Sequence, residues 1–291
     1  MKKISNGILA VGIREKGAEL TSILDLRDNT EHLWQADPAG WGWHAPVLFP
    51  VVGRCLNDEI IIGENTYPMP KHGFARHLPF TCIQEDEHSI CFHLTDNEET
   101  LKQYPFSFQF RITYKLVHDE LHTLYEVLNT GEEILPFSLG AHPAFRLPFS
   151  EQQDYTDSRI IFEKTEAAPR FLIDQDGFFT GESRPTLDKG SIRLFPALFD
   201  EDALIFKTLE SRSLLLEDNT SRKGIQVHFT GFPYLGLWSR VAAPFVCIEP
   251  WLGCADTAGK KIPFNEKEGI IQLPVHEQFT ASLIFRITNL S

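Results

Sequence analysis

Two residues in this sequence have the types and settings for acid/base chemistry. His142 stands in Leu139-Gly140-Ala141-His142-Pro143-Ala144-Phe145, directly before a proline. Proline fixes its own φ and keeps the preceding residue extended, so the backbone on both sides of the imidazole is restricted. Glu249 ends the apolar run Ala243-Pro244-Phe245-Val246-Cys247-Ile248 and is followed by Pro250-Trp251. A carboxylate delivered by an apolar strand and flanked by tryptophan is partly desolvated, which raises its pKa toward that of a working general base. The bland counterparts are a core histidine and a strand-end glutamate in water; the joint occurrence of the two stretches with a third favours chemistry.

The third stretch runs from Trp34 to Arg76. Trp34, Trp41 and Trp43 are followed by His44-Ala45-Pro46-Val47-Leu48-Phe49-Pro50-Val51-Val52-Gly53-Arg54 and Lys71-His72-Gly73-Phe74-Ala75-Arg76. Tryptophan faces stack on the apolar side of a pyranose ring, while arginine and histidine donate to its hydroxyls. Core packing is the alternative for each tryptophan, and a turn cap for His72.

The elements that must position these residues are strands. The 291-residue chain is 42% hydrophobic and 23% charged, with 23 Phe against 2 Met. Rigid rings in that excess suit stacked sheets. Strand-like runs recur at 7–13, 18–25, 106–117, 122–129, 213–217, 225–230, 235–239, 245–248 and 278–287. Residues 106–116 alternate apolar and polar throughout, and with 121–129 predict a hairpin. Helical signals are few, the best being 98–104, with Asp96 or Asn97 as cap and Pro105 as stop. No repeat or linker divides the chain, and residues 165–189, rich in Asp, Gly and Pro, read as an excursion of loops. The expected architecture is all-β, a single large antiparallel β-sandwich over residues 1–291 with few short helices.

A net charge of −13 without a lysine or arginine run excludes a nucleic-acid footprint and an anionic membrane surface. The five cysteines are odd in number and form no Cys-x-x-Cys pair, and the N-terminus lacks a signal peptide's apolar stretch. These features predict reduced thiols in a cytoplasmic protein that is a monomer or homodimer.

In order, Val47–Arg54, His72–Arg76, Gly140–Phe145 and Cys247–Trp251 resemble the signature segments of the aldose 1-epimerase (galactose mutarotase-like) family, closest to its bacterial LacX-like branch. The resemblance runs nearly end to end. It implies a large β-sandwich with a sugar in a cleft on one sheet, Glu249 as general base, His142 as general acid, and no cofactor or metal. It also places Arg54, His72 and Asp202 among sugar-binding positions, with Asp200 the alternative to Asp202, and Trp34 and Trp251 beside them. The neighbours Gly140, Ala141, Pro143, Pro250 and Trp251 differ from those of the better-known galactose mutarotases, so the sugar stays open. Rival readings are a His72, His142, Glu249 metal triad, a catalytically silent sugar sensor, and the same chemistry on a hexose 6-phosphate. A glycoside hydrolase needs two flanking carboxylates, and this pattern offers Glu249 alone.

Overall fold

Phe108–Val117 and Glu120–Asn129, the hairpin expected from period-two alternation, pair antiparallel from Phe108 opposite Asn129 to Val117 opposite Glu120. Buried and half-buried residues alternate along both, so one face lies in the core and the other meets water. The structure is a computed structural model describing residues 1–149, 155–186, 188, 190–218, 223–240 and 243–289.

Among the described residues the hairpin is central to a nine-stranded antiparallel sheet. Its order is Ser191–Arg193, Ser158–Phe162, Ser213–Asp218, Lys223–His228, Gln278–Asn289, the two hairpin strands, Ser89–Thr95 and Thr81–Glu85. An eight-stranded sheet packs against it, in the order Phe179–Arg184, Arg170–Ile173, Leu204–Phe206, Tyr234–Trp238, Phe245–Trp251, Gly140–Ala141 and Val47–Leu48, with Ala144–Arg146 also on Phe245–Trp251. The main core lies between the two, joining Phe108, Phe110, Ile112 and Val127 of the first to Leu235, Leu237, Val246 and Ile248 of the second. A four-stranded N-terminal sheet, Lys2–Ser5 to Thr30–Glu31, flanks the sandwich. The all-β antiparallel sandwich expected from periodicity is the fold observed.

Two expectations about local structure change. The helix is a single turn, Glu98–Leu101, with Asn97 accepting from the amides of Glu99 and Thr100 at 2.9 and 3.1 Å. Tyr104 leaves the helix because it is wholly buried, its hydroxyl donating to the Pro136 carbonyl at 2.7 Å. Residues 165–189, expected to be loops, contain the strands Arg170–Ile173 and Phe179–Arg184 at the edge of the eight-stranded sheet; residues 187 and 189 lie outside the described set. The strands are short, the first half-buried throughout and the second largely exposed, and a bulge offsets them, which hides their periodicity. The turn joining them is built by Asp174, whose Oδ1 accepts from the amides of Asp176 and Phe178.

All five cysteines are unpaired. Among the described residues no helix is long and apolar enough to cross a membrane.

Candidate active site

The strand Phe245–Trp251 is buried along its whole length and sorts its side chains by period two. Val246 and Ile248 enter the main core, while Cys247, Glu249 and Trp251 point to the opposite face of the sheet. There Glu249 and Trp251 bound a cavity of about 300 Å³. Lining it are Trp41, Lys71, His72, Arg76, His142, Asp202, Trp238, Glu249 and Trp251, with Gly53, Ile173, Gly177, Phe179, Ala203, Ile205 and Ala255.

His142 arrives beside Glu249 because its strand is interrupted. Gly140–Ala141 and Ala144–Arg146 both pair with Phe245–Trp251, Gly140 opposite Trp251 and Ala144 opposite Cys247. His142-Pro143 spans the gap, and the Ile248 amide donates to the Pro143 carbonyl at 3.2 Å. The result is 3.1 Å between His142 Nε2 and Glu249 Oε2. Trp41 stacks on the imidazole with centroids 4.7 Å apart, while Trp238 and His72 meet it edge-on at 5.9 and 5.8 Å.

Burial dominates the electrostatics of this pair. Glu249 is 2% exposed and its pKa is raised well above the usual carboxylate value by desolvation; Lys71 opposes the shift and Asp202 adds to it. Trp251 Nε1 is buried without a hydrogen-bond partner but close enough to Glu249 to favour its charged form. Desolvation pushes the His142 imidazole down to about 3, with Arg76 in the same sense. His142 Nδ1 is also buried without a partner, so no second carboxylate steadies an imidazolium. Both shifts favour neutral forms, and near neutral pH the pair holds one proton between its two members.

His72 is a donor of fixed tautomer. The Gly53 amide donates to its Nδ1 at 3.1 Å, which leaves the ring proton on Nε2. Its backbone, at φ 67°, is held by donation of its amide to the Gly53 carbonyl at 2.8 Å. Gly73 follows at φ 73°, where a Cβ would lie 2.1 Å from the Phe49 carbonyl oxygen, so only glycine permits this approach. That carbonyl accepts from the amides of Phe74 and Ala75, and the Phe49 ring is fixed among Phe74, Phe108, Phe110 and Phe137. The phenylalanine core thus sets the position of the histidine.

His72, Asp202 and Trp251 line the cavity with the acid/base pair. Asp202, at φ 71°, accepts the Ala203 amide on Oδ1 at 2.7 Å, whereas Asp200 lies outside the lining. Two expected sugar contacts do not reach the cavity. Arg54 turns away to make a two-point ion pair with Asp58, at 2.8 and 3.0 Å, and donates to the Asp176 carbonyl. A fork-shaped guanidinium satisfies a neighbouring carboxylate four residues on before it reaches across a cleft. Trp34 is buried beneath the cavity wall, packed on Phe245 and donating from Nε1 to the Trp41 carbonyl at 2.7 Å. It positions Trp41 rather than facing a ligand.

The cations at the cavity are Lys71 and Arg76. Among the described residues Lys71 has no carboxylate within ion-pair distance, and Arg76 donates to the Lys71 carbonyl at 2.7 Å and lies over Trp43. Trp238 was missed from the sequence because its strand, Tyr234–Trp238, carries no signal separating a wall residue from a core residue. The one possible metal cluster among the described residues is His142, Cys247 and Glu249, with ligand atoms within 4.8 Å, and not the triad with His72. His72 Nδ1 is engaged by Gly53, and burial lifts the Cys247 thiol well above its ordinary value, which opposes the thiolate a metal requires.

The antiparallel sandwich is of the galactose mutarotase-like class. Residues 2–261 match the family described as aldose 1-epimerase, and the chain belongs to that family. It is 36% identical over 261 residues to Protein LacX of Lactococcus lactis subsp. lactis, covering 86% of this chain and 87% of the relative. The fold matches a galactose mutarotase related enzyme from Lactobacillus acidophilus with TM-score 0.94, at 33% identity over 100% of this chain and 98% of that one. A galactose mutarotase-like protein from Lactobacillus casei ATCC 334 superposes equally well, with TM-score 0.94 at 31% identity over 99% and 100%.

Proposed function

We propose that this protein interconverts the α and β anomers of a free aldose by acid/base opening and reclosure of the ring. The observation that carries the reading is the buried contact of 3.1 Å between His142 and Glu249, facing a cavity of sugar size. Glu249 takes the proton of the C1 hydroxyl while His142 gives one to the ring oxygen. The C1–O5 bond breaks, leaving an aldehyde and a C5 hydroxyl; rotation about C1–C2 and return of both protons then close the ring in the opposite sense. His72 Nε2–H donates to a sugar oxygen, and Asp202 and the indole faces hold the ring.

The proton count supports this cycle. Ring opening moves the pair from carboxylate and imidazolium to carboxylic acid and imidazole, with total charge unchanged. Burial favours the second state; Lys71 and the Trp251 indole favour the carboxylate of the first, while Lys71 opposes its imidazolium. No redox step enters.

The test is polarimetry or NMR anomer exchange on a panel of free aldoses and hexose phosphates. Acceleration over buffer on at least one aldose is expected. Buffer rates on every sugar, with binding retained, would replace the enzyme by a sugar-binding protein of the same fold.

A further inference from the structure

The acid/base cycle asks His142 to carry a positive charge where burial resists one. The charged side chains facing its imidazole are Glu249, at 3.1 Å, which with the residue's own backbone favours an imidazolium, and Lys71 and Arg76, which oppose it. Its Nδ1 has no hydrogen-bond partner. The flat face of the ring is a further place where the charge can be met. Of the three aromatic rings around it among the described residues, Trp41 alone stacks, with centroids 4.7 Å apart and planes inclined at 26°.

The indole is held in that position from several sides. Arg240 donates to the Gly40 carbonyl at 2.6 Å and Trp34 to the Trp41 carbonyl at 2.7 Å. Two residues on, Trp43 lies under the guanidinium groups of Arg14 and Arg76, and Glu19 accepts the amides of His44 and Ala45. The wholly buried Phe245 also stacks on Trp41, at 5.8 Å, and Trp238 meets it edge-on at 5.6 Å. An aromatic face carries negative charge density and attracts a cation within about 6 Å of its centroid, more strongly out of water, and among side chains the indole does so best.

We infer that Trp41 acts through His142, its indole face stabilising the positive charge that the imidazole carries while the sugar ring opens and recloses. This rests on the acid/base reading above and adds a residue to it. In the opening step the Nε2 proton passes to the ring oxygen as Glu249 takes that of the C1 hydroxyl, so the imidazole still holds part of its charge in the transition state. Burial makes the neutral pair the lower state, and the barrier rises from there. A face that steadies the partly charged ring more than the neutral one lowers that barrier.

Tryptophan bearing one, two or three ring fluorines, placed at position 41 alone in the full chain, tests this, because fluorine drains the face of charge with little change of shape. NMR anomer exchange on glucose, galactose, xylose, arabinose and glucose 6-phosphate gives kcat and KM. For each fluorine kcat should fall about twofold, with a smaller change in KM. Trp41→Leu should lose about tenfold in kcat, and Trp41→Phe, which keeps a stacked face, clearly less. A kcat indifferent to fluorine, in protein folded by circular dichroism, overturns the proposal and leaves the acid/base reading intact. So does a rise in KM at constant kcat, which would make the indole a wall for the sugar only. Buffer rates from the unsubstituted protein on all five sugars remove both readings.

Discussion

At the residue scale, Glu249 is where function and stability pull apart. Its buried carboxyl has a folded pKa above the ordinary 4.5, so the stability this group contributes is full below pH 4.5 and is lost as pH rises through the folded value. Glu249→Gln keeps the shape without the titration. The rate should fall about 10²–10⁴-fold, while the unfolding midpoint at pH 7 rises, a gain that disappears below about pH 4.5. Full activity in Glu249→Gln would remove it from the base role. A second expectation concerns the wild-type pH profile. With His142 pushed down to about 3, kcat/KM should show no acid limb near pH 6.5, where a free imidazole titrates. A limb at that position, in protein still folded by circular dichroism, would mean that the His142 environment is wetter than its burial implies.

At the scale of elements, the site depends on glycines that make room for Trp251. Gly140 and Gly236 lie on the strands either side of Phe245–Trp251, and a Cβ on them would come within 2.7 and 2.6 Å of the Trp251 indole. Gly236 is also paired directly with Glu249. Gly236→Ala should therefore destabilise by about 1–3 kcal/mol and lower kcat/KM by moving the indole against the base. Gly42→Ala, with nothing within 4 Å of the added carbon, is the control and should stay within about 0.5 kcal/mol. Thermal unfolding with rate assays on both decides it; equal behaviour of the two variants would refute the packing argument. The tryptophan-bearing loop has its own anchor in Glu19, which is buried, paired with Arg14, and accepts the amides of His44 and Ala45 at 2.7 and 3.0 Å.

For the whole molecule, buried histidines set the acid limit. Desolvation holds His32 and His44 down to about 4, His142 to about 3, and His72 well below 6.5. Each is neutral in the fold and takes a proton on unfolding, so stability is full above pH 6.5 and is lost as pH falls toward the folded values. One proton corresponds to about 1.4 kcal/mol per pH unit, so several together exhaust a stability of about 5–15 kcal/mol within a few units. Acid unfolding is expected to have its midpoint between pH 6.5 and 4, with net proton uptake measurable by potentiometry. Unfolding with no uptake would contradict the dry settings of these rings.

How much of this was legible in the sequence follows from the range of the forces involved. Alternation in Phe108–Val117 and Glu120–Asn129, the cap at Asn97, and the apolar run ending in Glu249 are local patterns that determined the sandwich class and pointed to Glu249; the setting of His142 and His72 was local too, whereas Asp202 and Trp251 entered only through the family resemblance. Arg54 and Trp34 belonged to the same motifs, yet whether a guanidinium reaches a cleft or turns to Asp58, and whether an indole faces ligand or core, depends on neighbours distant in sequence. The strands 170–173 and 179–184 were invisible because a short half-buried strand bulged against an exposed edge strand shows no periodicity, and Trp238 because inward and outward tryptophans share one pattern. The sequence by itself determined the chemical groups, the backbone restriction around His142 and the apolar setting of Glu249. Only tertiary structure decided that these two lie 3.1 Å apart, that burial leaves them one proton to share, and that Trp41 and Trp238 wall the site. Distances and desolvation are properties of chain segments brought together from far apart, and no local spacing encodes them.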